Sequence, residues 1–356
     1  MLSRKVNIGI IGAGNIANEH IKGFLQFPEQ CEITAITDTK LFVAQERARQ
    51  HGIKHAISTT EELIARDDVD AIIICVPNQF HAPLAIQAME AGKHIVMEKP
   101  MGINGEAARQ ILKASEAYDR IVMIGHQRRW ESIAMQIKEQ IDRGELGRIY
   151  SAKTGLFRRK GIPGWGTWFT RSELSGGGPL IDIGVHMLDL ALYLMGNPKP
   201  VSVYGAAYAE FGPRRKGIGD WGIPNWNGIY DVEDFATALI RMEDGSTLSL
   251  EVSWAVHMDT DNTPFIHLMG TEGGASYRQD YGKLLTEKFD QPSELLLRVP
   301  EGDEGERIRF CRHFLECIAE GKQPLTSART GWTNNVIMDA IYESSRSGNE
   351  VKLKWD

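Results

Sequence analysis

The chain has 356 residues, 42% of them hydrophobic and 24% charged, and its 40 basic and 47 acidic side chains give a formal net charge of −7. This length predicts about two domains with a sizeable core. The acidic balance argues against nucleic acid or an anionic membrane surface as a partner.

No apolar run approaches the roughly 18 residues of a membrane span, and no cleavable apolar segment precedes the first strand. The cysteines form neither a C-x-x-C motif nor a metal-ligand spacing; they are Cys31, Cys75, Cys311 and Cys317. Two of them lie in apolar strand-like stretches, which indicates buried free thiols in a reducing compartment. We therefore expect a cytoplasmic protein with no membrane partner.

The first apolar run, residues 6–11, leads directly into a glycine turn and the start of a helix, Gly12-x-Gly14-x-x-Ala17. The first glycine allows a sharp turn, the second lets backbone approach a pyrophosphate, and the small third residue lets helix and strand pack closely. Free N–H groups at the helix N-terminus then attract the anion. The turn predicts a dinucleotide-binding site.

Asp38 follows the next apolar run, 24 residues after Gly14. A carboxylate at this distance accepts hydrogen bonds from both ribose hydroxyls and repels a 2′-phosphate. The sequence therefore predicts NAD as the cofactor, with NADP less favoured. The alternative is an ordinary aspartate at a strand end.

Strand-like and helical patterns alternate through the first third of the chain. Apolar runs at 6–11, 32–36, 70–76, 94–97 and 121–125 are separated by helical patterns at 15–27, 40–51, 59–67, 81–91 and 104–118. This rhythm is typical of right-handed βαβ units on a parallel sheet. It predicts an α/β Rossmann domain over residues 1–126.

From about residue 148 the pattern changes to period-two alternation. Strands are predicted near 149–157, 201–209, 234–242, 247–254 and 293–299, followed by helices at 304–320 and 330–346. Residues 127–356 are therefore predicted to form an α+β domain on a large, mostly antiparallel open sheet for substrate binding and oligomerisation. The second face of such a sheet is either solvated or covered, and we expect a homodimer or homotetramer packed through it.

A short apolar strand ends in Glu98-Lys99-Pro100. Open α/β sheets place their ligands at the carboxyl ends of the strands, so a lysine held there can donate to a substrate hydroxyl or carbonyl oxygen. A solvated lysine at a strand end is the alternative, but the upstream glycine turn favours function.

A nearly all-apolar helical segment follows Gly176-Gly177-Gly178 and ends at Gly196. Its polar residues share one face; they are Asp182, His186, Asp189 and Tyr193. Such a stripe on a buried helix favours an acid–base pair, with an aspartate orienting an imidazole that exchanges protons near neutral pH. A structural polar network is the alternative, and zinc is the minority interpretation because no second cluster completes a ligand set. We predict no metal site.

Aromatic, Gly- and Pro-rich stretches at 157–172 and 211–230 contain Trp165, Trp168, Trp221, Trp226 and Tyr230. Aromatic faces beside polar side chains suit a sugar or polyol, and packed loop aromatics or an oligomer interface are the alternatives. Gln127-Arg128-Arg129-Trp130 follows the last parallel strand. It predicts either a cationic patch that faces cofactor or substrate, or an interdomain salt bridge.

The glycine turn, Glu98-Lys99-Pro100 and Asp182-x-x-x-His186-x-x-Asp189 together resemble the glucose–fructose oxidoreductase / inositol dehydrogenase / rhizopine catabolism (Gfo/Idh/MocA) family, as does Val76-Pro77-Asn78-x-x-His81. The resemblance covers essentially the whole chain. It implies a Rossmann domain and a sheet domain whose open face mediates dimers or tetramers.

The resemblance also implies roles for particular residues. The predicted catalytic set is Lys99, Asp182 and His186. The predicted cofactor-binding residues are Gly12, Gly14, Asn15, Ile16, Asp38, Pro77, Asn78, His81, Glu98, Lys99 and Gln127. The predicted substrate-binding residues are Lys99, Arg129, Trp165, Trp168, Asp182 and His186.

The implied function is an NAD-dependent oxidoreductase that transfers a hydride between the nicotinamide and a secondary alcohol of a sugar, sugar derivative or cyclitol. Three alternatives stay open. They are a redox-neutral glycosidase or lyase that retains NAD, a non-catalytic regulator that binds NAD or sugar, and an unrelated zinc enzyme.

Overall fold

A computed structural model describes residues 4–259 and 261–355. The chain folds into two compact units. The first unit comprises the chain up to Gln127 together with Glu304–Thr333, and the second comprises Arg128–Asp303 together with the chain from Asn334 onward.

The first unit contains a six-stranded parallel sheet. Its strands are β1 (Val6–Ile11), β2 (Cys31–Thr37), β3 (His55–Ile57), β4 (Ala71–Ile74), β5 (His94–Met97) and β6 (Val122–Ile124). The order β3-β2-β1-β4-β5-β6 is that of a doubly wound dinucleotide-binding sheet, so the predicted Rossmann fold is confirmed. All four residues of β4 are completely buried, as expected for a strand covered on both faces.

Helices connect these strands: α1 (Asn15–Phe24), α2 (Leu41–His51), α3 (Thr60–Ile64), α4 (His81–Glu90) and α5 (Gly105–Ala117). Each lies within the helical pattern that the sequence predicts. The short strand β3 was not predicted, because three residues are too few to show a period.

A helix from the C-terminal part of the chain, α9 (Glu306–Glu320), packs on α1 in the first unit. Phe314 makes an edge-on contact with Phe24 at 6.1 Å between ring centroids. A Cβ at Gly23 would lie 2.7 Å from Cys311 Sγ, so a glycine lets the two helices approach. The sequence interpretation placed everything after residue 126 in the second domain, and the apolar face of α9 accounts for this difference.

The second unit contains a nine-stranded sheet. Its strands are β7 (Ile149–Phe157), β8 (Pro200–Tyr208), β9 (Phe235–Met242), β10 (Thr247–Ser253), β11 (Phe265–Gly270), β12 (Gly274–Tyr277), β13 (Tyr281–Lys288), β14 (Gln291–Arg298) and β15 (Val351–Lys352). The order is β14-β13-β12-β11-β7-β10-β9-β8-β15. All neighbours pair antiparallel except β7 and β10, which confirms the predicted mostly antiparallel sheet.

One face of this sheet is covered by helices. These are α6 (Ser132–Asp142) and α8 (Val185–Leu194). The short α7 (Ser172–Ser175) precedes α8 in the chain. The last helix, α10 (Ala328–Ser347), begins in the first unit and ends in the second. On β10, Leu248, Leu250 and Val252 are buried under this layer, while Glu251 on the other face is exposed. The period-two prediction for this strand is confirmed.

Strands β11, β12 and β13 were not predicted from the sequence. The four residues of β12 are too few to show alternation, and most of β13 is exposed or half-buried on both faces. A strand without one consistently buried face carries no period-two signal.

The stretch Ser172–Leu194 is long and apolar enough to cross a membrane by length and composition. However, 83% of its most apolar window is buried inside the protein. This burial is typical of a core helix in a soluble protein.

Candidate functional site

The glycine turn after β1 depends on two glycines for different reasons. Gly12 has φ +93°, and a Cβ there would lie 2.2 Å from the Cys75 carbonyl oxygen at the end of β4. Gly14 has an ordinary φ of −69°, and a Cβ there would meet no described atom within 4 Å. Gly12 is therefore required by the fold, whereas Gly14 keeps space open in front of the first turn of α1.

Asp38 is held beside this turn. Its Oδ2 accepts a hydrogen bond from Ala13 N at 2.9 Å, and its Oδ1 accepts one from Lys40 N at 3.0 Å. The carboxylate is half-buried at the carboxyl end of β2. This position next to the glycine turn suits recognition of a ribose.

Gln127 carries a second feature that suits a cofactor. Its Oε1 is buried without a hydrogen-bond partner among the described residues. A buried acceptor of this kind costs free energy unless a ligand or water supplies a donor. The hydroxyl of a nucleotide ribose is such a donor, so the open space at Gly14, the carboxylate of Asp38 and this acceptor fit the dinucleotide.

His81, a predicted cofactor-binding residue, lies inside the protein. It is fully buried, with Nδ1 2.8 Å from Pro100 O and Nε2 3.0 Å from Val76 O. The imidazole therefore links the loop after β4 to the turn after β5, where the Lys99–Pro100 peptide bond is cis. Its observed contacts position these loops.

Glu98 is also turned inward, and its partners were not predicted. Its Oε1 lies 2.7 Å from His20 Nε2 and 3.7 Å from Arg307 Nη1. Burial raises the pKa of Glu98, but the His20 N–H and the charges of Arg307 and Lys99 outweigh it and lower the pKa to about 2. Burial and Arg307 lower the pKa of His20, so a neutral imidazole donates to a carboxylate anion.

The predicted polar helix of the second unit begins as a π-helical turn, Leu180–Gly184, and continues as α8. Between Leu180 and Leu192, a stretch described throughout, every residue is buried except Asp182 and His186, which are half-buried. Asp182 Oδ2 accepts a hydrogen bond from Trp254 Nε1 at 3.0 Å. The fold thus leaves solvent access on this segment to the two predicted catalytic residues.

The other half of the polar stripe is a buried network. Arg129 binds both oxygens of Asp189, at 2.7 Å for each bond, and Asn334 Nδ2 donates to Asp189 Oδ1 at 3.0 Å. The Arg129 guanidinium also lies over the Tyr193 ring at 4.8 Å. Arg129 was predicted to bind substrate or to bridge the domains; its observed ion pair lies within the second unit.

A buried carboxylate that sequence reasoning missed holds the start of the polar helix. Glu233 accepts hydrogen bonds from Gly178 N at 2.9 Å, from Leu180 N at 3.0 Å and from the Tyr342 hydroxyl at 3.0 Å. Burial raises the pKa of Glu233, and the two backbone N–H groups oppose this rise. A Cβ on Gly177 would lie 2.0 Å from Tyr342 Oη, and a Cβ on Gly178 would lie 2.1 Å from Glu233 O. Both glycines therefore allow close packing.

The aromatic residues are only in part available to a ligand. Trp165 is buried, donates its Nε1–H to Gly212 O at 2.8 Å, and stacks on Trp226 and Tyr230. Trp168 is half-buried, whereas Trp221 and Trp226 are exposed. The observed contacts of Trp165 are therefore those of a packed loop aromatic, which was the stated alternative.

Within residues 4–259 and 261–355, no group of three or more His, Cys, Asp and Glu side chains is arranged to hold a metal ion.

Two family models match the chain. Residues 6–126 match an oxidoreductase family with an NAD-binding Rossmann fold, and residues 134–276 match the GFO/IDH/MocA C-terminal domain. The first match defines the class, an NAD-binding oxidoreductase. Both matches together show that the chain belongs to the GFO/IDH/MocA family, which confirms the resemblance seen in its motifs.

Curated relatives cover nearly the full chain. D-glucoside 3-dehydrogenase of Escherichia coli (strain K12) is 30% identical over 99% of both chains. Levoglucosan dehydrogenase of Pseudarthrobacter phenanthrenivorans is 27% identical over 98% of both. The scyllo-inositol 2-dehydrogenase (NAD(+)) of Bacillus subtilis is 26% identical over 99% of this chain and 97% of its own.

A solved structure of levoglucosan dehydrogenase in complex with NADH and levoglucosan has a TM-score of 0.89 to this chain. It is 25% identical, and the match covers 99% of this chain and 100% of that one.

The two glycines of the turn should respond differently to alanine. Gly12→Ala should lower the free energy of unfolding by more than about 1 kcal/mol, because a side chain is strained at positive φ. Gly14→Ala should leave the melting temperature unchanged but weaken NAD binding about tenfold, because its Cβ projects into the open space. Melting curves and NAD titrations check this. Wild-type NAD affinity in Gly14→Ala would contradict the assignment of that space to the cofactor.

Proposed function

We propose that this protein is an NAD-dependent dehydrogenase that oxidises a secondary hydroxyl of a sugar, a sugar derivative or a cyclitol. The observation that carries the proposal is the half-buried pair Asp182 and His186 on an otherwise buried segment. The chain shares its family with dehydrogenases named for a D-glucoside, levoglucosan and scyllo-inositol.

His186 is the proposed base. A hydride leaves a carbinol carbon easily only when the hydroxyl proton leaves in step, so a positioned base is needed. The imidazole takes that proton, and the carbinol becomes a ketone. Bound NAD supplies the hydride acceptor for this chemistry.

Asp182 is proposed to orient and charge-stabilise His186, which follows it by one helical turn. The hydrogen bond from Trp254 Nε1 fixes one carboxylate oxygen, and Glu233 fixes the start of the same segment. A carboxylate held in this way stabilises an imidazolium as the proton arrives.

Lys99 is proposed to donate a hydrogen bond to the reacting oxygen. It is half-buried, and its two neighbours Glu98 and Pro100 are buried and fixed by His20 and His81.

The expected cofactor preference is NAD over NADP. The Asp38 carboxylate, held by Ala13 N, favours two ribose hydroxyls and repels a 2′-phosphate. The remaining residues assigned to the cofactor, including Asn15, Ile16, Pro77 and Asn78, stay predictions.

A substrate screen tests the proposed activity. The protein is incubated with NAD or NADP and with glucosides, levoglucosan, inositols, aldoses or nucleotide sugars, and NADH is read by its absorbance. We expect one class to give NADH in step with the oxidised product, faster with NAD. A redox-neutral glycosidase or lyase would convert substrate with no net NADH, and a regulator would bind ligand without converting it.

His186→Ala should lower kcat about 10²- to 10⁴-fold, the usual contribution of a positioned base. NAD binding should stay near the wild-type value, because the glycine turn and Asp38 are untouched. His55→Ala, which removes an exposed imidazole from the first unit, is the matched control and should retain activity. Near-normal single-turnover rates in folded His186→Ala would remove His186 from the mechanism.

We also propose a homodimer or homotetramer packed through the uncovered face of the nine-stranded sheet. One row across five strands of this face consists of Tyr204, Leu239, Ser249, Lys153 and His267. It combines two exposed apolar side chains at Tyr204 and Leu239 with a small residue at Ser249, which suits flat face-to-face packing. The cytoplasm remains the proposed location, and the four buried free thiols support a reducing compartment.

Light scattering at micromolar concentration should give a multiple of the monomer mass, and Leu239→Arg should reduce it, because an interface core excludes unpaired charge. Leu25→Arg is the matched control, since Leu25 in the first unit is 46% exposed and Leu239 is 44% exposed. A monomeric mass for the wild type would exclude the proposed assembly.

A further inference from the structure

Two identical basic tripeptides lie side by side in the second unit. They are Arg158-Arg159-Lys160, directly after β7, and Arg214-Arg215-Lys216, in the long connection between β8 and β9. Ile162 N donates to Gly217 O at 2.9 Å, and Gly219 N donates to Ile162 O at 2.9 Å. These bonds form a parallel bridge that brings the two basic segments together.

A cavity of about 460 Å³ opens where the segments meet. Its lining residues are Arg159, Lys160, Phe211, Lys216, Gly217, His257 and Asp261. This volume falls within the range of small-molecule sites, roughly 300–1,000 Å³, and is much larger than a single ion needs. The rings of Phe211 and His257 meet edge-on at 5.0 Å and supply an aromatic wall.

In each tripeptide, some of the cationic side chains contact neighbouring residues of the protein and the others line the cavity. Arg158 faces Asn262, Arg214 pairs with Glu210, and Arg215 lies over the Trp165 ring at 4.9 Å. By contrast, the side chains of Arg159, Lys160 and Lys216 have no hydrogen-bond or ion-pair partner in the part of the chain that the structure describes.

The charge of the cavity is therefore positive in a chain whose net charge is −7. The three cations face one carboxylate on the lining, that of Asp261, whose Oδ1 accepts a hydrogen bond from Arg159 N at 2.9 Å. Three positive charges less one negative charge leave two. A dianion matches this balance, and a singly charged carboxylate does not.

The wall formed by the second tripeptide is tightly packed. Gly217 has φ +71°, and a Cβ there would lie 2.4 Å from Ala255 Cβ, so only glycine fits. Ala255 follows Trp254, the residue that donates to Asp182. The residues directly after β10 thus contact both the cavity wall, at Gly217, and the polar helix, at Asp182.

We propose that this cavity binds an organic phosphate, a small molecule with a phosphate monoester. Arg159, Lys160 and Lys216 hold the phosphate oxygens, because charge-assisted N–H···O bonds are the strong ones. Phe211 and His257 contact the organic part. The proposal does not rest on the dehydrogenase activity, since it concerns a cavity lined by none of the proposed catalytic residues.

Calorimetric titration of the full chain tests the proposal. NAD is kept saturating so that the dinucleotide site is filled, and ionic strength is held constant. The probes are glucose 6-phosphate, glucose, glucuronate and inorganic phosphate. We expect glucose 6-phosphate to bind at least about tenfold more tightly than each of the others, since only it supplies both the dianion and an organic body.

The variant Arg159→Ala/Lys216→Ala should weaken glucose 6-phosphate binding about tenfold or more, while its melting temperature stays unchanged because both side chains are exposed. Lys54→Ala/Lys322→Ala removes the same charge from exposed positions in the first unit and should bind as the wild type does.

Equal weakening in both double variants would mean non-specific attraction and would overturn the site. Equal affinity for glucose would place the ligand elsewhere. Glucuronate or inorganic phosphate binding as tightly as glucose 6-phosphate would overturn the assignment to an organic phosphate. Loss of dehydrogenase activity in His186→Ala with glucose 6-phosphate binding intact would separate this proposal from the one above.

Discussion

The buried dipeptide Glu233-Asp234 organises the second unit. The Glu233 carboxylate binds the backbone at Gly178 and Leu180, at the start of the segment that carries Asp182 and His186. Asp234 accepts hydrogen bonds from the backbone of Glu210, Phe211 and Gly212, and its carbonyl accepts one from Trp254 N. Because a buried polar group without a hydrogen-bond partner costs free energy, this pair permits little variation in the segments it joins.

A second buried carboxylate serves the first unit in a similar way. Glu98 is anionic because an imidazole N–H and a guanidinium surround it, and it stands next to Lys99 at the end of β5. The guanidinium belongs to Arg307 on α9. This helix follows the strand β14 of the second unit in the chain but packs on α1 of the first unit. Arg307 on this helix therefore completes the charge network around Glu98, next to Lys99. This contact joins the two separate parts of the chain that form the first unit.

The sequence predicted what depends on local pattern. The strands of the parallel sheet are apolar at nearly every residue, and β10 is apolar at every second residue; the structure confirms both predictions. The partners of Glu98, Arg129 and Gly178 could not be predicted, because they lie between 55 and more than 200 residues away along the chain. The sequence also did not show why glycines precede the polar helix: Gly177 and Gly178 allow the close approach of Tyr342 and Glu233.

The contrast between buried and solvent-accessible residues indicates which part of the chain determines substrate specificity. The glycine turn, Glu98 and the Arg129–Asp189 pair are fixed by packing or by buried charge, so they are suited to a constant framework. The connections after β7 and β8 differ. Both carry exposed cations that have no ion-pair partner among the described residues, and the connection after β8 also carries the exposed Trp221 and Trp226. Asp234 and the Ile162 bridge hold the backbone of these connections in place. Where the backbone is rigid and the side chains face solvent, those side chains can be replaced at the least cost in stability, so a new ligand specificity can arise there. The identity of the sugar is therefore expected to depend on these two connections more than on the helix that carries the proposed catalytic residues.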